Sequence, residues 1–144
     1  MKRLLLIALA LTCLLTAARA AEDDAKVLEG VWLPQSMEAD GKPAPPEAVK
    51  RVKFTFKGDK LFIAGNFDDG REEECPYKID PKQSPKHLEF TPPKENKPVL
   101  GIYEVKGDEL KICLRHASSK EGRPTEFATK PDTKLILIVF KKQK

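Results

Sequence analysis

The sequence predicts an all-β protein: a single eight-stranded antiparallel up-and-down barrel with one short helix. Three observations carry this. Short runs of alternating apolar and polar residues recur along the chain, Gly-Asp and Asp-Gly turns punctuate them, and helical periodicity is nearly lacking. Short strands must bury one face against another, in a sandwich or a barrel. A meander of sequential hairpins favours the barrel, because closure removes exposed edges.

The clearest unit is Gly101 to Arg115. Tyr103 and Val105 share one face of its first run, and Leu110, Ile112 and Leu114 share one face of its second, across a turn at Lys106-Gly107-Asp108. The other elements repeat the pattern. Gly30 to Glu38 reads as a strand that Pro34 interrupts, which predicts a bulge or an edge position. Asp40-Gly41-Lys42-Pro43 is a turn, and Pro46 to Lys50 predicts a short helix with proline in its first turn. Val52, Phe54 and Phe56 point inward on the next strand, then Leu61 and Ile63 on the return after Lys57-Gly58-Asp59. Asp68-Asp69-Gly70 turns the chain into Arg71 to Asp80, with Cys75, Tyr77 and Ile79 inward. Leu88 and Phe90 mark a short strand. Ala117 to Thr133 is a long loop, and Leu135 to Phe140 is a final strand, apolar on both faces. Its parity is read with Leu135, Leu137 and Val139 inward and with Ile136, Ile138 and Phe140 in need of outside cover.

Residues 1–20 read as an export signal. Lys2 and Arg3 precede an apolar run from Leu4 to Leu15, and Ala18-Arg19-Ala20 is a small-x-small cleavage pattern. The run is too short to cross a bilayer comfortably, so no membrane span is expected after cleavage. One domain over 21–144 is expected, in the periplasm or outside the cell, and Ala21 to Ala25 reads as a polar, frayed leader. Lys2, Arg3 and Arg19 leave with the signal, so 23 of the 26 basic residues face 22 acidic ones. That near-neutral balance gives no reason to expect nucleic acid as a partner.

Leu28-Glu29-Gly30-Val31-Trp32, Asp40-Gly41-Lys42-Pro43, Phe54-Thr55-Phe56, Gly58-Asp59-Lys60-Leu61, Tyr77-Lys78-Ile79-Asp80-Pro81, Pro85-Lys86-His87, Gly101-Ile102-Tyr103-Glu104 and Arg123-Pro124-Thr125-Glu126-Phe127 follow one another along the chain. Together they resemble a family of small exported domains of unknown function that is expanded in planctomycete bacteria. The resemblance covers nearly all of 21–144. It implies a lipocalin-like barrel and brings no catalytic residues. Gly30-x-Trp32 is also similar to the lipocalin G-x-W element, whose tryptophan packs across the closed end of the barrel, often under a basic residue from the far C-terminus. Lys141 or Lys142 is placed to take that part. Gly30, Trp32 and Tyr103 are therefore expected to be structural.

Constellations that would carry chemistry are scarce. Asp68, Asp69, Glu72, Glu73 and Glu74 crowd one hairpin, but their spacing matches no calcium loop, and a solvated tip accounts for them. His87 and His116 are the only histidines and stand apart, so no metal site is expected. Cys113 and His116, three apart on a strand, point to opposite faces, which argues against a Cys–His nucleophile. No G-x-S-x-G, P-loop or H-E-x-x-H occurs, and neither an enzyme nor a cofactor is expected. Cys75 and Cys113 either pair as a disulfide after export or remain free thiols; their opposite parity argues against the bridge. Arg123, Glu126 and Phe127 are the candidate ligand-binding residues. An Arg123–Glu126 pair would pin their loop over the barrel mouth, with Phe127 as a plug.

The inward residues are mostly large, and eight strands enclose a barrel that side chains can fill. A mostly filled interior is expected, with a shallow pocket at the mouth near Arg123 to Phe127. The functional expectation is a non-catalytic exported module of the cell envelope that binds an unknown protein or a small ligand. The alternative is a lipocalin-type carrier of a small apolar ligand; a secreted enzyme ranks third.

Overall fold

The computed structural model describes residues 22–65, 71–117 and 119–144. The signal expected over 1–20, its cleavage point after Ala20, and the Asp68-Asp69-Gly70 turn lie outside the described residues. The elements run in chain order as helix α1 (22–28), strand β1 (Gly30–Ala39), β2 (Lys42–Pro43), helix α2 (Pro46–Arg51), β3 (Lys53–Lys57), β4 (Lys60–Ala64), β5 (Glu72–Asp80), β6 (Lys86–Phe90), β7 (Val99–Lys106), β8 (Glu109–Arg115) and β9 (Leu135–Lys142). Every strand from β3 to β8 pairs antiparallel with the next. β1 pairs with β3 on one side and β9 on the other, which closes an eight-stranded up-and-down barrel; β2 is an extra strand on the end of β1.

The two seams of β1 differ in length. With β9 it runs from Trp32 opposite Lys142 to Ala39 opposite Ile136, broken by a bulge between Pro34 and Ser36, where the proline predicts one. With β3 it pairs only at Gly30, Val31 and Trp32. Beyond that point α2 packs against β1. α2 is short, but its ends suit it: Pro46 in the first turn with Glu47, and Lys50 and Arg51 in the last, where they complement the helix dipole.

Each of the eight barrel strands contributes to a core inside the barrel. Trp32, Phe54, Phe56, Leu61, Ile63, Cys75, Leu88, Phe90, Tyr103, Leu110, Ile112 and Leu114 are all buried in it, as their parity predicts. Two expectations are corrected. The first is the parity of β9. Ile138 and Phe140 are the buried core residues and Ile136 packs beside them, whereas Leu135 and Leu137 face outward. An all-apolar strand carries no alternation to read. Its parity comes from register: Leu114, Ile112 and Leu110 on β8 stand opposite Ile136, Ile138 and Phe140, and cross-strand partners share a face. The second is the leader expected to fray. Residues 22–28 are helical, held by Leu28, which is buried in the core, and by a Glu22–Lys26 ion pair of 3.3 Å along one face. About two turns with a single buried anchor leave no helical period to detect.

Candidate functional site

The two ends of the barrel are built differently. At the end where β1 begins, α1 folds across the strands. Trp32 lies beneath it, fully buried, and its indole N–H donates to the Leu28 carbonyl at 2.7 Å. Lys142 reaches over the indole, its ammonium 5.4 Å from the ring, and donates to the Val27 carbonyl at 3.0 Å. Gly30 has to be glycine for this to happen: its φ is +124°, and a Cβ there would stand 2.9 Å from Cε of Lys142. The G-x-W spacing thus places a passage for the lysine one step before the ring it covers. Asp24 of α1 completes the seal. It accepts from the hydroxyl of buried Tyr103 at 2.6 Å and from Lys86 at 2.8 Å. Burial first, then the hydrogen bond to Asp24, push the Tyr103 hydroxyl far above its ordinary value. Gly30, Trp32 and Tyr103 therefore sit together in the closed end.

The loop after β8 lies on the outside of the wall. Arg123 donates to the Leu88 and Gly101 carbonyls, both at 2.7 Å, and to Glu89 at 3.0 Å. Glu126 faces Lys130 at 3.7 Å, so the expected Arg123–Glu126 pair is not formed. Phe127 packs against the cluster of Ile102, Cys113 and Leu135, as Leu137 does, with Lys111 5.7 Å from its ring. Phe127 is thus the outside cover that the last strand needs, and not a plug. None of Arg123, Glu126 and Phe127 lines the barrel mouth, which corrects their placing as a mouth site. Cys75 lies in the interior cluster and Cys113 in the outer one, each buried and free, so the disulfide alternative is not realised. Burial pushes the Cys75 thiol up to about 11, with Glu73 and Glu74 adding to it, and burial raises Cys113 as well. Neither thiol is poised as a nucleophile.

Among the described residues, the opposite end is open. A cavity of about 490 Å³ enters the barrel there. Phe54, Ile63, Phe90, Leu114 and Ile138 form its inner wall, Met37 and Val99 its flanks, and Ala48, Arg51 and Val52 its α2 side. Phe54 marks the floor, with its ring 4.8 Å from that of Phe140 and 6.4 Å from that of Phe90. Gly65 holds α2 close: with φ +96°, it passes where a Cβ would stand 2.5 Å from the Arg51 carbonyl oxygen. The charged lining is Arg51, Glu73, Lys94 and Glu95, with His116 beside them. All of these are exposed except Glu73, which is half-buried.

The expectation of a mostly filled barrel thus holds for one end only. The residues that line the open end were legible singly, since Phe54, Ile63, Phe90 and Leu114 carry inward parity. Their failure to meet across the barrel was not, because that depends on where α1, α2 and the loops sit. Glu73 did leave a signal: it precedes Cys75, Tyr77 and Ile79 in the inward alternation of β5. Among the described residues no three His, Cys, Asp or Glu side chains gather as metal ligands, and no helix is long and apolar enough to cross a membrane. No family model matches the chain, and it matches neither a curated protein nor a solved structure.

Proposed function

We propose that the protein is a non-catalytic, exported, lipocalin-like module of the planctomycete-expanded family that its sequence resembles, and that it holds a small ligand with an apolar body in the open end of the barrel. The observation that carries this reading is the asymmetry of the two ends. One is sealed by α1, Trp32 and Lys142, and the other keeps an apolar cavity of about 490 Å³. That volume lies within the range of small-molecule pockets, about 300–1,000 Å³. Solvation favours an apolar guest here, since a wall of Phe, Ile, Leu and Met side chains offers water no partners.

The test is a titration with N-phenyl-1-naphthylamine, an uncharged probe whose emission rises when it leaves water. One-to-one saturable binding is expected. Ala48→Trp, which sets an indole over the cavity from a helix with no fully buried residue, should weaken it by about tenfold or more while the melting temperature holds. Absence of saturable binding would overturn the ligand reading and leave an interaction module with a solvent-filled mouth.

A further inference from the structure

The charge that sets the cavity apart is Glu73. It stands opposite Ile63 on β4, two pairs before Cys75 opposite Leu61, so it shares the inward face of β5 with buried core residues. Its neighbours face outward and are engaged: Glu72 pairs with Lys53 at 3.3 Å, and Glu74 with Lys60 at 3.6 Å. Among the described residues, none pairs with the Glu73 carboxylate. Its charge is nonetheless felt inside the wall, where it helps to raise the Cys75 thiol.

The other charges at this end are Arg51, Lys94 and Glu95, with His116, and all four residues are exposed. Exposed charges act through water and are screened within about 8–10 Å by salt, so their influence on a bound molecule is small. A half-buried carboxylate beside apolar walls acts through a lower effective dielectric and is screened less. Among the described residues, the polar groups buried in the core, the Trp32 indole N–H and the Tyr103 hydroxyl, are already partnered at the closed end. A guest can therefore place no polar group deep in the barrel without leaving it unpaired, and must enter apolar end first. Its head then comes to the level of Glu73.

We propose, resting on the ligand reading above, that the guest is an amine-bearing amphiphile. Its ammonium is held by Glu73 and its apolar body lies against Phe54, Ile63, Phe90, Leu114 and Ile138. The carboxylate accepts a charge-assisted hydrogen bond from the ammonium, stronger than any neutral head would make there.

Octylamine, octanol and octanoate share one tail and differ in the head, so calorimetric titration of the three at neutral pH reads the head alone. Octylamine should bind about tenfold or more tighter than octanol, and octanoate weakest. E73Q should bring the amine down to the alcohol's affinity, with the variant's melting curve confirming its fold. E73K should reverse the order and favour octanoate. Equal affinities for amine and alcohol, octanoate as the tightest guest, or an amine preference that survives E73Q would each overturn the assignment. If octanol and the uncharged naphthylamine probe bind without head preference, this inference alone fails; if neither binds, the ligand reading fails with it.

Discussion

The two ends of the barrel are made from the same eight strands and differ in what the chain does beyond them. At the closed end α1 and the end of β9 come together. α1 supplies Asp24 and Leu28, β9 supplies Lys142, and the polar atoms of Trp32 and Tyr103 find partners at 2.7 and 2.6 Å. At the open end the nearest additions are a six-residue helix with no fully buried residue and the Pro92 to Val99 segment. Large apolar side chains line both ends, so residue size does not decide which is filled. Closure needs an element from outside the sheet with an apolar anchor and a polar partner for whatever it covers. The closed end has both; among the described residues, α2 at the open end brings no fully buried anchor.

This comparison breaks most visibly at Trp32. Replacing it by Ala removes a fully buried indole, its hydrogen bond to Leu28 and the ring under Lys142. A loss of about 3–5 kcal/mol is expected, as for other large core aromatics. Urea denaturation followed by far-ultraviolet circular dichroism measures it. A change below about 1 kcal/mol, the size of an ordinary surface substitution, would mean that the closed end is not a seal.

How much of this was legible follows from what alternation can encode. Period-two patterning gives the interior face of a half-buried strand, so Phe54, Leu61, Tyr103 and Ile112 were readable, and so was the meander that closes on itself. It is silent where both faces are buried. On β9 the outward Leu135 and Leu137 look like core because Phe127 covers them from outside. Arg123 looked like a receptor because a cation in a motif-like loop usually meets a ligand or a carboxylate. It meets the Glu89 carboxylate, and not that of Glu126, and also satisfies two backbone carbonyls on the outer wall, acceptors that no side-chain pattern reveals. The Gly30-x-Trp32 element was readable for the opposite reason. A positive φ and a ring beneath a lysine constrain residue type at fixed spacing, and Lys142 takes the place expected of Lys141 or Lys142.

A second, smaller effect separates the ends by pH. The Tyr103 hydroxyl is raised in the folded state from its ordinary 10.0, by burial and then by Asp24. A raised group contributes stability that is complete below the unfolded value and is lost as pH rises toward the folded one, because the unfolded chain gives up the proton first. The Tyr103 contribution should therefore hold to about pH 10 and decline above it. Tyr103→Phe should cost about 1–2 kcal/mol at neutral pH, where the hydrogen bond to Asp24 is lost, and should flatten the alkaline decline. Tyr77, Cys75 and Cys113, also raised by burial first, leave a residual slope that begins near pH 9. Denaturant midpoints between neutral pH and pH 11 measure both effects. An alkaline decline as steep in the variant as in the parent would remove Tyr103 from the account.

The smallest effect is the sharpest contrast. Met37 packs beside the core at the open end and lines the cavity. In a sealed core, truncating Met to Ala costs about 2–5 kcal/mol, because the lost transfer energy is joined by the cost of a new void. At Met37 the void already exists and is open to solvent, so the second contribution vanishes. Only the apolar area that Met37 now shields is lost, and the side chain is half-buried to begin with. At about 25 cal/mol per Å², that comes to about 1 kcal/mol or less. The same truncation should enlarge the cavity and let a bulkier apolar probe enter, so stability and probe size move in opposite directions. Equilibrium urea unfolding gives the first, and titration with a graded series of uncharged aromatic probes gives the second. A Met37→Ala cost as large as that of a sealed core position would show that the open end is packed shut in solution, and the distinction between the two ends would fall with it.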